Sequence, residues 1–333
     1  MKGHAPLLAT ALAVLLLAAA PCSHAQGPVL APAPLPSPGW PDQGEEDTVA
    51  LRAITIGYQN SLANGALRDV GPKIDIGTVR VQAVRLGIDI ALGRDWNLHA
   101  GIPYVKARYL GPSPHCPTSA PPQCAHLPAL TRPHPESAFL DDGRWHGSWQ
   151  DFDFVLSRHG AIGDYLVTPS LQLTLPSHDY PWFAQAAVGR NLTMLAVGAT
   201  LGQQVEGSNW FWSIGYARVF AEKTLGYSVD HNRYQGELGY LATPDLTLSV
   251  FGQAKLGGGI DFSNARNLFA GMTNELYYHH DQINAYQHFD VGFAANYQLG
   301  DRHVLSVSAQ RLVWGETTPD LQYALDVSLT RTF

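Results

Sequence analysis

The stretch LQYALDVSLTRTF, Leu321 to Phe333, alternates apolar and polar side chains. Leu321, Tyr323, Leu325, Val327, Leu329 and Phe333 share one face, and Gln322, Asp326, Ser328 and Thr330 share the other. A repeat of two is the signature of a strand whose faces meet different media. Arg331 interrupts the apolar face near the end, where its long stem lets the guanidinium reach a polar boundary. Such a strand fits a soluble sandwich, or a wall with lipid on one side and water on the other. The rest of the chain decides between them.

The same alternation recurs upstream. Ile54, Ile56 and Tyr58 alternate with Thr55, Gly57 and Gln59; Leu86, Ile88 and Ile90 with Gly87, Asp89 and Ala91; Leu171, Leu173 and Leu175 with Gln172 and Thr174. Tyr234, Leu238 and Tyr240 flank Gln235 and Glu237, and Phe289, Val291, Phe293 and Tyr297 flank Asp290, Asn296 and Gln298. With the weaker cases this makes about twelve strands, an even number of the kind single-chain bacterial barrels use. Their expected starts are Thr48, Ile76, Trp96, Ser148, Asp164, Asn191, Asn209, Asn232, Asp245, Asn284, His303 and Asp320.

Turn chemistry provides a separate test. If the first strand begins in the periplasm, every second connection must be short. GRD near Gly93, RHGAIG near Gly160, EGSN near Gly207, TPD near Pro244 and GDR near Asp301 are all short and rich in turn residues. The alternate connections include the two long ones, Leu110 to Gly147 and Gly257 to Ile283, which belong outside. The expected fold is therefore all-β, a closed transmembrane antiparallel barrel of about twelve strands over residues 48–333.

The N-terminal residues fit export. Lys2 precedes the uncharged apolar run Leu7 to Ala20, and Ser23, His24 and Ala25 form a small-x-small cleavage site. Residues 1–25 are thus expected to be a signal peptide, with Gln26 opening the mature chain. Cys22 invites a lipoprotein reading, but Pro21 before it is wrong for that processing. Residues 26–47, rich in Pro, Ala and Gly, read as an extended periplasmic leader able to enter the lumen. No later apolar run approaches the roughly 20 residues of a membrane helix. A net charge of −7, with no basic patch, argues against nucleic-acid binding. Cys116 and Cys124, in CPTSAPPQC, are expected to pair in an oxidising compartment, contributing about 2 to 3 kcal/mol.

Two irregularities stand out. Val79, Val81 and Ala83 are out of phase with Leu86 and Ile88, which predicts a bulge near Ala83 or a misplaced strand start. Between Val304 and Leu312 the apolar face changes parity. Trp96, Trp210, Trp212, Tyr216, Tyr297 and Tyr323 are candidate residues of the aromatic girdles that flank a barrel's lipid belt.

The closing strand, ending on Phe333, resembles the C-terminal signature of bacterial outer-membrane barrels that the barrel-assembly machinery reads. Two further stretches carry a finer resemblance: LGIDIALGRDWNLHAGIPYV, Leu86 to Val105, and GAIGDYLVTPSLQLTLPSHDY, Gly160 to Tyr180. A strand, a tight turn and a strand ending in Pro-Tyr, then Gly-x-x-Gly-Asp and Leu-Pro-x-x-Asp-Tyr, resemble the outer-membrane barrels associated with meta-pathway phenol degradation. That resemblance implies a transporter for small, often aromatic or hydrophobic molecules. The chain departs from the family at the Cys116 and Cys124 loop and at His178, both expected in external loops.

Three constellations could carry function. The first is a channel lining: Asp89, Gln172, Thr174, Gln235, Glu237, Lys255, Asp290, Asn296, Gln298 and Asp326 fall on the polar face. They could line a water-filled path or form an internal hydrogen-bonded network, with folded loops or the leader occluding it. The second lies in RWHGSW, Arg144 to Trp149, where His146 and Ser148 share parity with Phe152, Phe154 and Leu156 and so are expected on the lipid side near the outer rim. A lipid hydrolase would carry a nucleophile and base there, but no orienting group or oxyanion donor is identifiable. The third is a gathering of imidazoles in external loops: His115, His126, His134, His146, His178, His231, His279 and His280, with Asp281 nearby. No tight HxH or HxxxH pair occurs among them, so the sequence assigns no metal site.

The sequence therefore favours a monomeric outer-membrane channel passing small molecules without covalent chemistry or a cofactor. A lipid-modifying barrel hydrolase using His146 and Ser148, and a closed structural or adhesion barrel, are the alternatives. The expected partners are outer-membrane lipids, the assembly machinery and a small-molecule solute, with no nucleic acid.

Overall fold

The structure, a computed structural model, describes residues 49–67, 74–93, 95–113, 115–116, 125–126, 139–261 and 272–333. The expected signal peptide and leader lie outside the described residues, as do Cys124 and His134. Sixteen strand segments follow in order: β1 (Val49–Leu67), β2 (Ile74–Leu92), β3 (Trp96–Leu110), β4 (Pro112–Ser113), β5 (Ala125–His126), β6 (His146–Trp149), β7 (Asp151–Arg158) and β8 (Gly160–Ile162); then β9 (Tyr165–Pro176), β10 (Met194–Gln204), β11 (Trp210–Ala221), β12 (His231–Thr243), β13 (Leu246–Leu256), β14 (Gln287–Gln298), β15 (His303–Glu316) and β16 (Thr318–Thr332). Among the described residues between β13 and β14 are two short helices, α1 (Asn274–Tyr278) and α2 (His280–Ile283). The small parallel pair β4 and β5 stands apart from the main sheet.

The segments β6, β7 and β8 are pieces of one wall strand. With them joined, twelve antiparallel strands form a closed barrel, each pairing with its neighbours in sequence and β1 pairing with β16. Closure matters physically, because lipid supplies no partner for an unpaired backbone N–H or C=O and a closed sheet has no edge. Every expected strand start lies within three residues of an observed one. The short connections, such as residues 163–164, 205–209 and 299–302, gather at one end, and the long ones at the other.

The outward face is apolar. Ile56, Leu86, Val197, Ile214, Val250, Phe293, Val307 and Val327 are all exposed, Phe293 to 66%. So much exposed aliphatic surface, interrupted only at the ends, suits lipid contact. Toward the short-turn end Trp210 packs on Tyr240 (ring centroids 4.9 Å), and Tyr165 packs on Trp212 (6.2 Å). Toward the other end Tyr216 packs on Tyr234 (5.3 Å) and Tyr104 on Trp149 (5.4 Å).

Four positions correct the sequence reading, and bulges explain two of them. Leu321 is buried rather than lipid-facing: Leu62 pairs with Tyr323 but Ala63 with Leu321, and this slip turns Leu321 inward onto Leu312 and Ala324. The parity change expected between Val304 and Leu312 is absent: pairing with β14 runs unbroken over these residues, and Leu312 is an apolar residue of the inner face packed on Leu321; a bulge follows, where Asp290 faces Leu312 and Phe289 faces Trp314, skipping Val313. His146 and Ser148 face inward. They pair with Ala107 and Val105, both 1% exposed, while Trp145 and Trp149 point out. The reason is a one-residue slip where β6 meets β7: Trp149 and Phe152 are both exposed, and Gln150 and Asp151 between them are both buried. The fourth position needs no bulge. Pairing of β2 with β3 runs unbroken from Thr78 to Ala91, and Val79, Val81 and Ala83 belong to the inner face. They are apolar because an external loop covers them.

Candidate functional site

The expected lumen residues all occupy inward-facing positions, and most are tied to other side chains. Asp89 accepts from Asn97 (3.3 Å) and contacts the ring of His99 (3.0 Å). Asp153 accepts from Gln172 (2.9 Å) and Thr174 (2.6 Å), and Arg233 donates to Gln172 (2.6 Å), reaching from β12 over β11 and β10 to β9. Gln235 reaches Thr200 across β11 at Gly215, where a Cβ would come within 2.6 Å of the glutamine chain. Asp290 meets the His288 ring at 2.6 Å beside Lys255, and Gln253 donates to Gln310 at 3.0 Å. Near the short-turn end Gln298 donates to the Gly300 carbonyl at 2.7 Å. Glu237 and Asn296 sit on the same inner face, opposite Ser213 and Ser306.

Arg85 and Asp326 form an ion pair across β1. Arg85 stands opposite Gly57 and Asp326 opposite Gln59, so the pair crosses β1 diagonally over the glycine, where any Cβ would meet the guanidinium at 3.3 Å. Both side chains are largely buried, 14% and 13% exposed. Removing one partner from such a pair is costly because the other charge stays behind. Arg85→Gln is therefore expected to lower stability by about 1 to 3 kcal/mol in urea unfolding from detergent. Arg85→Gln with Asp326→Asn should recover most of that loss; an equally unstable double variant would refute the pairing.

The long-loop end is filled by packed chain. The connection from β9 to β10 folds into the mouth, so that Tyr180, Ala186 and Val188 pack against Ala83, Val105, Ala107 and Tyr109 of the wall. Its Phe183 and Leu192 join Val229, Met272, Tyr277 and Ile283 from the other long connections. The bulge between β6 and β7 anchors this loop: Gln150 donates to the Val188 carbonyl (2.7 Å), and Tyr180 donates to Asp151. Tyr180 also accepts from the Asn191 amide (3.0 Å). Burial, reinforced by the Asp151 charge, pushes the Tyr180 hydroxyl well above its ordinary value, so it stays a donor.

His146 and Ser148 do not form a pair. Nε2 of His146 contacts Asp142 at 2.8 Å, whereas the Ser148 hydroxyl contacts Nε2 of His178 at 3.0 Å. The Nδ1 of His178 faces the Ser177 hydroxyl at 2.9 Å, so a hydroxyl stands where a hydrolytic triad would hold a carboxylate.

A buried charged cluster joins three loops. His115, fully buried, has Nδ1 2.8 Å from Asp141 and Nε2 3.0 Å from Asp281. Asp141 also accepts from the Ser113 hydroxyl and from the amides of Gln185 (3.1 Å) and Ala186 (2.9 Å). Burial opposes protonation of His115, but the carboxylates of Asp281 and Asp141 outweigh it and raise the ring to about 10. Burial likewise opposes ionisation of Asp281, yet His280 and His115 hold it down at about 2. His231 is elsewhere, at the start of β12, and its Nδ1 meets the Val229 carbonyl at 2.8 Å. His279 stacks on Trp182 (5.5 Å) outside the cluster. Cys116 is fully buried next to His115. The residues of the cluster stand far apart in sequence; only the adjacent HHD of His279 to Asp281 marks it there.

No protein-family model matches the chain, and no curated protein matches it. Among solved structures, an outer-membrane channel from Pseudomonas putida F1 superposes with a TM-score of 0.60 at 14% identity, over 88% of this chain and 99% of that one. The NanC porin aligns with a TM-score of 0.45 at 10% identity (85% and 100% covered). The KdgM porin aligns with a TM-score of 0.44 at 9% identity (84% and 99% covered). The first of these likenesses shows a common outer-membrane barrel fold.

Proposed function

We propose that the protein is a channel of the Gram-negative outer membrane through which small molecules pass passively, with neutral aromatic or hydrophobic solutes as the favoured class. The observation that carries this reading is a polar inner face, apolar where the inward loop packs on it and at Leu312 and Leu321, enclosed by a closed, lipid-facing apolar wall. Asp89, Gln172, Thr174, Gln235, Glu237, Lys255, Asp290, Asn296, Gln298 and Asp326 would line the path.

The preference for neutral solutes follows from pairing. The lumen carboxylates of Asp89, Asp153, Asp290 and Asp326 are each bound to a histidine, an arginine or hydrogen-bond donors of the wall. A charged solute gains little from groups already engaged, and it still loses hydration. The resemblance of Leu86 to Val105 and Gly160 to Tyr180 to phenol-degradation barrels supports the same solute class.

Liposome swelling tests the proposal. Vesicles holding the inserted barrel should swell faster in a small phenol than in an equally sized charged solute, and faster than protein-free vesicles. Swelling equal to protein-free vesicles, from protein shown to be inserted, would overturn it.

A further inference from the structure

The buried cluster at the mouth has the donor set of a metal site. Ligand atoms of His115, His280 and Asp281 all lie within 4.8 Å of one another. Nε2 of His115 is 3.0 Å from one carboxylate oxygen of Asp281, and Nε2 of His280 is 3.2 Å from the other. Around a tetrahedral zinc with bonds of roughly 2.0 to 2.1 Å, neighbouring ligands stand about 3.3 Å apart. The two nitrogen-to-oxygen separations run to different oxygens of the one carboxylate; they gather the three groups into a space of that size, and a four-coordinate ion would take one of the two oxygens.

The far side of each ring is also built as metal-ligating histidines require. Nδ1 of His115 meets the Asp141 carboxylate at 2.8 Å, and Nδ1 of His280 meets the Tyr277 carbonyl at 2.6 Å. A carbonyl only accepts, so His280 donates from Nδ1, and in the neutral ring Nε2 then carries a lone pair. That lone pair faces an oxygen of Asp281, which also only accepts when ionised. Two acceptors this close are relieved by a shared cation, either a proton or a metal ion. A carboxylate or carbonyl behind each ligating imidazole is the usual outer shell of such sites.

We propose that His115, His280 and Asp281 hold a divalent transition-metal ion, with zinc the best-fitting species, and that the ion fastens together the external loops filling the mouth. On binding, the ion displaces the proton that the carboxylates hold on Nε2 of His115, and two imidazoles and a carboxylate leave a fourth position for water. The two rings stack at 5.2 Å with 15° between planes, on the same side of the Asp141 and Tyr277 acceptors that hold them. Asp141 is a positioning residue: it orients His115 while also holding Gln185 and Ala186, and so joins the connection from β9 to β10 to the site. The inference stands whether or not solutes pass the barrel.

The test uses the full-length barrel refolded in detergent, stripped with a chelator and titrated with Co2+. A single saturable equivalent is expected, with the visible absorption of a four-coordinate N/O site, displaced by Zn2+. His280→Gln and Asp281→Asn should abolish that equivalent, Asp141→Asn should weaken it about 10- to 100-fold, and His178→Gln should leave it intact. Folding of each variant is checked by circular dichroism and heat-modifiable migration. If a variant does not fold, the wild-type titration decides alone: absence of a saturable band at one equivalent overturns the proposal. Binding by wild type no stronger than by folded His280→Gln overturns it too, leaving a proton-bridged clamp in the ion's place.

Discussion

Replacing Gln150 and Asp151 together with alanine is expected to raise single-channel conductance in planar bilayers severalfold, with larger current noise. These residues hold the inward loop through the Val188 carbonyl and the Tyr180 hydroxyl. Leaving a buried polar partner unsatisfied costs about 1 to 3 kcal/mol per group. Each 1.4 kcal/mol is roughly tenfold in an equilibrium, so the population with the loop lifted from the mouth should rise by at least about tenfold. Protease cleavage within residues 177–193 should accelerate in parallel. Ser208→Ala, in a short turn at the opposite end, should change neither quantity. Unaltered conductance and unaltered cleavage in the double variant would show that the loop is not what narrows the path.

The second large effect separates the two faces of one strand. Val250 points outward and Gln253 inward on β13. An arginine on the lipid face of a barrel costs about 2 to 4 kcal/mol near the midplane, whereas the aqueous face tolerates it. Val250→Arg should therefore reduce the folded, heat-modifiable fraction at intermediate urea by a factor of about 30 or more. Gln253→Arg should fold almost as well as wild type and shift permeation toward anions. Equal folding of both variants would contradict the assigned faces.

Alternation made the barrel legible because lipid and water stand on opposite sides of every strand. Turn residues then fixed which connections are short, and strand starts followed to within three residues. What alternation cannot display is a one-residue slip, which exchanges faces from that point onward. Leu321 and the pair His146 and Ser148 were misplaced for this reason. A trace of the second slip does exist in WQDF: Trp149 and Phe152 can both face lipid only if Gln150 and Asp151 both turn inward. Conversely, Val79, Val81 and Ala83 mimicked a slip because their inner face is covered by protein rather than water. The buried cluster was beyond reach, since His115 and Asp141 meet Asp281 only after separate loops have folded into the mouth.

The pairing of β1 with β16 has a kinetic consequence. Every other strand neighbour is also a neighbour in sequence, so eleven of the twelve seams can form as local hairpins. The remaining seam joins residues such as Thr55 and Thr330, 275 positions apart. Loop-closure entropy concentrates at that seam, and until it zips the growing sheet carries two open edges, each a template for another chain. Refolding should accordingly show a fast gain of strand signal followed by a slower gain of heat-modifiable migration. The fate of an unfinished barrel, membrane wall or aggregate, is decided in the interval between the two.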